Sequence, residues 1–223
     1  MTDEPAGPAR EDAFPRPLHN VEDFARFLAG RFPDAPRGAF AAPADADVLT
    51  AWLFLDAGSL PDAQAYQCLA ILQFDRVEDR ARARVARDCY VLHPAEVAAE
   101  AISRAWRERR LYREGLDVSR FLDDRLEEAI EDAVTEGRFG ALPGPSPGRE
   151  FTAAQRRWAA EAIRVCNQAP LEKRRVLHSF LFRNLSPERI AEETGSAAEF
   201  VNDTIEDTLS EVHRRAVRAE EEQ

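Results

Sequence analysis

The sequence predicts an all-α protein with two small helical domains joined by a proline- and glycine-rich linker. Apolar residues recur at helical spacing through most of residues 63–134 and again after residue 170. Prolines and glycines concentrate between these stretches, in residues 137–150. With 223 residues and 44% hydrophobic content, the chain can bury one large core or two small ones.

The N-terminal part of the chain is predicted to be a tail followed by a helical extension. Residues 1–18 form the tail, because prolines and charged residues leave too little apolar surface to offset the entropy of ordering. Residues 19–60 form the extension, with helices over 21–32 and about 45–57. Gly58 ends the second of these helices.

Residues 61–136 are predicted to form a three-helix domain. The first helix covers about residues 63–90, with Asp75 as a potential interruption of its apolar stripe. His93 and Pro94 begin the second helix, and the third follows Gly115. Three consecutive amphipathic helices are typical of a small bundle.

The last domain, residues 151–219, contains two helices joined by a short turn. Ser186 and Pro187 begin the first helix, since a serine hydroxyl caps helix amides and proline is favoured at the first helical position. Gly195 ends it, and Ser196 with Glu199 three residues later has the spacing of a capping box. Two helices joined by a turn that contains glycine indicate either a helix-turn-helix or an ordinary helical hairpin. The second helix has this apolar stripe: Phe200, Val201, Ile205, Leu209, Val212 and Val217.

Composition restricts the classes of partner and site. The formal net charge of -11 disfavours nonspecific nucleic-acid binding, which depends on lysine and arginine, although a local basic patch remains compatible with it. Cys68, Cys89 and Cys166 are far apart, which indicates buried thiols in a reducing compartment rather than disulfides or a metal site. No apolar run is long enough to span a membrane, and no secretory signal is evident, so we expect a cytoplasmic protein.

Residues 170–205, PLEKRRVLHSFLFRNLSPERIAEETGSAAEFVNDTI, resemble the C-terminal DNA-binding region of the sigma-70 family of RNA polymerase sigma factors, especially the extracytoplasmic-function type. The residues that match the family pattern there are Arg174, Val176, Leu177, Leu185, Ser186, Ile190, Ala191, Gly195 and Val201. The stretch 65–134 looks like the N-terminal conserved domain of the same family, with matches at Ala95, Glu96, Ala105, Trp106, Phe121 and Leu122.

This resemblance implies two surfaces and no cofactor. The first domain is expected to bind RNA polymerase core through Glu96, Glu100, Arg104 and Arg107. The second is expected to read promoter DNA through the exposed face of its last helix and through the residues before it. The residues implied to lie near DNA are Lys173, Arg174, Ser186, Ala197, Ala198, Asn202 and Asp203. An anti-sigma protein is a further potential partner.

The chain departs from the family where function is expected. Val97 and Glu100 replace an aspartate and a glutamine of the polymerase-binding helix. In the helix after Gly115, residues 123–132 have six carboxylates against a lone Arg125, whereas single strands are held by cations and aromatic rings. The expected recognition helix has acids and no lysine or arginine between residues 196 and 212. Lys173, Arg174 and Arg175 precede it, either as phosphate contacts or as a solvated face.

Two functions from different classes follow, and no enzymatic motif is present. The first is a sigma-like transcription initiation protein that binds polymerase core and promoter DNA. The alternative is a sigma-fold interaction module, a decoy or regulator of polymerase or of an anti-sigma protein, that has lost DNA binding. An acidic face that imitates nucleic acid toward a basic partner favours the alternative.

Overall fold

The structure, a computed structural model, describes residues 46–55, 62–138, 140 and 152–221, with side chains as far as residue 218. Within these ranges every extended regular element is a helix, which confirms the all-α prediction. The predicted tail, the predicted helix over 21–32 and nearly all of the predicted linker lie outside the described residues.

The helices in the described part of the chain are α1 (Ala46–Leu55), α2 (Asp62–Arg87), α3 (Pro94–Arg107), α4 (Val118–Glu136), α5 (Ala153–Gln168), α6 (Leu171–Leu181), α7 (Pro187–Thr194) and α8 (Ala198–Glu221), with a 3₁₀ helix, Arg109–Leu111, after α3. The chain divides into two compact units, residues 1–72 and 73–223. The division falls inside α2, which is continuous through Asp75, so the potential interruption there does not occur.

The first unit contains α1 and the N-terminal part of α2. In α1 the buried apolar side chains are Leu49, Leu53 and Phe54. In α2, Cys68 and Leu69 are fully buried within this unit. The helix predicted over about 45–57 is therefore present, with its described bounds slightly shorter.

The second unit begins with the rest of α2 and a helix pair, α3 packed on α4. Pro94 is the first residue of α3, as predicted, and the Asp117 side chain caps α4 by accepting a hydrogen bond from Arg120 N–H at 3.2 Å. The apolar face of α3 is buried from Val97 to Trp106. Tyr112 packs edge-on against Phe121, with ring centroids 5.5 Å apart, and orders the connection between the two helices.

A second small core joins α6, α7 and α8. The buried residues Val176, Ile190, Val201 and Ile205 form this core. Ser186 caps α7 by accepting a hydrogen bond from Arg189 N–H at 3.4 Å, as predicted, and Gly195 ends it with φ 67.

The start predicted for the next helix, with Ser196 as its cap, is early by one residue. The first helical residue of α8 is Ala198, and Val201 N–H donates to the Ala197 carbonyl at 3.2 Å. The Ser196 hydroxyl instead pairs with the Thr194 hydroxyl at 2.9 Å. Residues 195–197 form the turn between α7 and α8.

Residues on both sides of the predicted linker belong to the second unit. Buried Val91, which precedes α3, packs with Ile163, Cys166 and Leu177 of α5 and α6. Leu92 also forms an isolated antiparallel bridge with Gly140. These contacts were not predicted, because nothing in the local pattern links residues so far apart in the sequence.

We expect Gly195→Ala to lower the free energy of unfolding by about 1 kcal/mol, since a left-handed conformation is unfavourable for residues with a Cβ. A Cβ at this position meets no atom within 4 Å, so the loss is conformational and not steric. Gly195→Asn should lose less, because asparagine tolerates this conformation better. Urea denaturation of the parent and the two variants measures the order of their free energies of unfolding. An alanine variant as stable as the parent contradicts the prediction.

Candidate functional site

The pair α7 and α8, joined by the turn at Gly195, exposes one face of α8. Buried Val201, Thr204 and Ile205 hold α8 against the core, while the residues between them point outward. The exposed positions in the first turns are Ala197, Ala198, Glu199, Asn202, Asp203, Glu206 and Asp207. The structure therefore places the predicted residues Ala197, Ala198, Asn202 and Asp203 together on one accessible surface.

We call Glu199, Asp203, Glu206 and Asp207 the acidic face of α8. Within the part of the chain that the structure describes, none of these carboxylates has a salt-bridge or hydrogen-bond partner. Glu211, further along the helix, differs because Arg214 and Arg215 contact it, each at 2.7 Å. The hydrogen bond from Arg215 lowers the pKa of the Glu211 carboxyl. The acidic face thus presents four carboxylates without a salt bridge in the described residues, at the place where a recognition helix would meet phosphates.

The three residues that were expected near the DNA backbone, Ser186, Lys173 and Arg174, have different surroundings in the structure. Ser186 is exposed, but its hydroxyl serves as the cap of α7. Lys173 is half-buried and lines a groove between α5, α6 and α8 that also includes Asp207, Glu211, Arg214 and Arg215. The ammonium group of Lys173 is therefore in a surface of mixed charge and not in a basic patch.

Arg174 is engaged inside the molecule. Its guanidinium donates to the Asp88 carbonyl at 2.8 Å, to the Ala169 carbonyl at 2.9 Å and to the Asn167 carbonyl at 3.4 Å. It also lies over the Tyr90 ring, 4.0 Å from the centroid. In this conformation the guanidinium of Arg174 contacts neighbouring carbonyls and not a surface where DNA would lie.

The four predicted polymerase-binding residues fall into two pairs. Glu96 and Arg107 are exposed on α3. Glu100 is mostly covered and accepts a hydrogen bond from Arg107 at 2.8 Å. Arg104 is 16% exposed and forms ion pairs across to α4 with Asp132 and with Glu128. The hydrogen bond from Arg104 to Asp132 raises the pKa of the guanidinium. Arg104 therefore holds α3 to α4.

The acidic surface of α4 is largely neutralised by arginines from elsewhere in the chain. Arg80 of α2 binds Asp123 at 2.5 Å, and Arg84 binds Glu127 at 2.6 Å. Arg125 is 15% exposed and bridges Glu108 and Glu128. Thus most of the α4 carboxylates are structural, and the sequence analysis missed their partners. The sequence contained a signal for two of these ion pairs. Arg80 and Arg84 are four residues apart, as are their partners Asp123 and Glu127.

The described ranges contain no cluster of three or more histidine, cysteine, aspartate or glutamate side chains placed to hold a metal ion. The three cysteines are free thiols, and Cys68 and Cys166 are buried. Burial raises the pKa of each of these two thiols to about 12. None of the described helices is long and apolar enough to cross a membrane.

Comparisons with known proteins leave the family of this chain open. No protein-family model matches the sequence, and searches of curated proteins and of solved structures found no match either.

Proposed function

We propose that this chain is a sigma-70-like protein of transcription initiation that docks on RNA polymerase core and binds promoter DNA. The proposal is supported by the short helix α7, the turn at Gly195 and the helix α8, which together match the helix-turn-helix pattern expected from the sequence. The first of these helices is capped by Ser186, the turn contains left-handed Gly195, and the second helix exposes one face. The two helices follow the α3–α4 pair in the order that the sequence resemblance implies. Helix-turn-helix geometry by itself also occurs in other protein classes, so function has to be tested at the docking surface.

Docking is assigned to the exposed residues of α3. Glu96 has no charged partner among the described residues, and Arg107 is 59% exposed. Glu100 and Arg104 are less available, because their charges are engaged with Arg107 and with α4. We therefore expect Glu96 and Arg107 to make the direct contacts, with Glu100 and Arg104 positioning the helix.

The test is retention of the full chain on purified RNA polymerase core at low salt and micromolar protein. Glu96→Lys combined with Arg107→Glu should reduce retention at least about tenfold, since opposed charges across an interface are strongly unfavourable. The matched control is Arg120→Glu with Glu131→Lys, which reverses one charge of each sign at exposed positions of α4. Absence of binding by the parent chain, or an equal loss in the control, contradicts the proposal.

A second candidate is favoured by the acidic face of α8. In this alternative the chain keeps the sigma fold but does not bind DNA, and it acts as a decoy or regulator toward polymerase or an anti-sigma protein. Four carboxylates without a salt bridge in the described residues repel phosphates, and only a cytosine amino group is a suitable base partner for an acid. The engagement of Arg174 with internal carbonyls removes a further cation from the candidate DNA surface.

Transcription from promoter templates by core polymerase distinguishes the two candidates. Promoter-dependent initiation supported by the purified chain favours the first. Retention on core without initiation, together with no shift of duplex DNA at low salt, favours the second. The salt dependence of any duplex binding counts the phosphate contacts and identifies nonspecific association.

A further inference from the structure

The connection between α3 and α4 is an ordered turn. Leu116 N–H donates to the Arg113 carbonyl at 3.0 Å, and Gly115 has φ 85, a left-handed value that glycine adopts without strain. The Tyr112 hydroxyl donates to the Leu116 carbonyl at 2.6 Å. Tyr112 is only 6% exposed, and its ring packs on Phe121. A buried side chain therefore holds this connection in one conformation.

Five exposed side chains of this connection and of the start of α4 form what we call the arginine–leucine turn: Arg110, Leu111, Arg113, Leu116 and Arg120. Leu111 is 61% exposed and Leu116 is 38% exposed. None of the three arginines has a salt bridge within the described ranges. Exposed apolar side chains rimmed by polar ones mark interaction sites, whereas surface leucines that occur singly do not. An ordered turn also loses little conformational entropy when it binds a partner.

The arginine–leucine turn is cationic, although the whole chain has a formal net charge of -11. Two of the acids in residues 108–120 are used internally, because Glu108 pairs with Arg125 and Asp117 caps α4. Glu114 is the remaining acid in these residues, against the three exposed arginines. The partner that fits this turn is therefore anionic and offers apolar surface to the two leucines.

The chain itself has such a surface in the acidic face of α8, which lies in the same compact unit as the turn. Exposed Ala197 and Ala198 lie beside these carboxylates and offer apolar surface. Because the turn and the acidic face are both exposed in one molecule, they do not cover each other. At physiological salt the Debye length is about 8 Å, so repulsion between the net charges of two copies is largely screened while contacting charges still attract.

We propose that the arginine–leucine turn of one copy of this chain binds the acidic face of α8 of a second copy. Each copy has both surfaces, so two copies exchange both contacts and close as a twofold dimer. Five side chains that meet four are fewer than the about 20–30 residues a side of a stable interface, so the dimer is transient. The dimer does not rest on the proposed function, and its test needs neither polymerase nor DNA.

Sedimentation equilibrium of the full chain in about 0.15 M salt measures the association. Between about 1 μM and about 1 mM protein, the average mass of the parent should rise from that of a monomer toward that of a dimer. Arg110→Glu with Arg113→Glu should weaken association at least about tenfold, because the turn then repels the acidic face. Asp203→Lys with Glu206→Lys should weaken it as much, although this variant has a smaller net charge and less repulsion between copies.

The matched control is Arg156→Glu with Arg218→Glu. These two arginines are exposed on α5 and near the end of α8, outside both proposed surfaces. Their replacement changes the net charge as much as the turn variant does. The control should associate like the parent, and an equal loss of association in it overturns the proposal, because bulk charge then decides the result.

An equimolar mixture of the turn variant and the α8 variant gives the sharpest test. The reversed turn of the first then faces the reversed α8 of the second, and the unchanged turn of the second faces the unchanged α8 of the first. Both contacts are complementary again, so the mixture should recover the association of the parent. Circular dichroism of each variant checks that its helices are retained. A mixture of folded variants that associates no better than its components overturns the proposal.

A parent chain that stays monomeric up to about 1 mM also overturns the proposal. Two other anionic occupants of the turn are tested with the same variants, a single-stranded oligonucleotide and vesicles of phosphatidylglycerol. If the parent is monomeric and binds one of them through Arg110 and Arg113, the turn belongs to that occupant and not to a second copy. Failure of the polymerase pull-down, by contrast, leaves the measured masses unaffected and concerns only the proposed function.

Discussion

Replacement of Asp203, Glu206 and Asp207 by lysine is expected to give the chain clear affinity for random duplex DNA. Each substitution removes a carboxylate that has no partner among the described residues and adds a cation on the exposed face of α8. About three new phosphate contacts predict a slope of log affinity against log salt near −2.7. Binding should therefore weaken about 40-fold between roughly 50 and 200 mM salt. Fluorescence anisotropy with a labelled duplex measures both quantities.

The matched control places the same charge change elsewhere. Glu96, Asp124 and Glu131 are exposed acids without a charged partner in the described ranges, and none of them lies on α8. Their replacement by lysine changes the net charge equally. Equal DNA binding by this variant means that bulk charge, and not the acidic face of α8, limits binding. Tight binding by the parent chain at low salt also refutes the argument.

Most helices and the cap of α7 could be predicted from the sequence, whereas the cap expected at Ser196 does not form. Ser186, Pro187 and Gly195 act on residues within one helical turn, so their effect can be identified from spacing alone. The end of α3 was harder to place, since amphipathic spacing continues to Tyr112 while the backbone tightens into a 3₁₀ helix at Arg109–Leu111.

The partners of charged residues could not be predicted from the sequence. Arg174 was expected near DNA, but its contacts lie with a segment 86 positions earlier in the sequence. Arg104, expected at a polymerase surface, mainly binds carboxylates of α4. A charged residue on an amphipathic helix looks the same in sequence whether it faces solvent, a partner or another helix. Tertiary contacts decide among these possibilities, and local periodicity contains no information about them.

The acidic helices illustrate this difference directly. In sequence, α4 and α8 both appear as carboxylate-rich faces unsuited to nucleic acid. In the structure, α4 receives arginines from α2 and α3, whereas the first turns of α8 receive none within the described residues. The same composition thus contributes to packing in one helix and leaves an open charged surface in the other. Only the second is a candidate for partner selection.

Ile190→Ala is expected to cause the largest loss of stability in the small core that joins α6, α7 and α8. Ile190 is the one fully buried side chain of α7, with 0% exposure, and it packs in the core formed with Val176, Val201 and Ile205. Truncation of a buried isoleucine removes transfer energy and leaves a cavity, and the expected cost is about 2–5 kcal/mol. Because α7 is short, it has little other burial to hold it. We therefore expect α7 to detach before the rest of the second unit unfolds.

Hydrogen exchange monitored by mass spectrometry tests this order. Peptides from α7 and from the start of α8 should lose protection in the variant, while peptides from α3 and α4 keep it. The matched control is Leu111→Ala, which deletes the same number of carbon atoms from a side chain that is 61% exposed. The control should change the free energy of unfolding by less than about 0.5 kcal/mol, as is usual for surface sites. Equal loss of protection in the α3 and α4 peptides and in the α7 and α8 peptides argues against local detachment of α7. The second unit then unfolds as one cooperative body, and α7 does not depend on Ile190 alone.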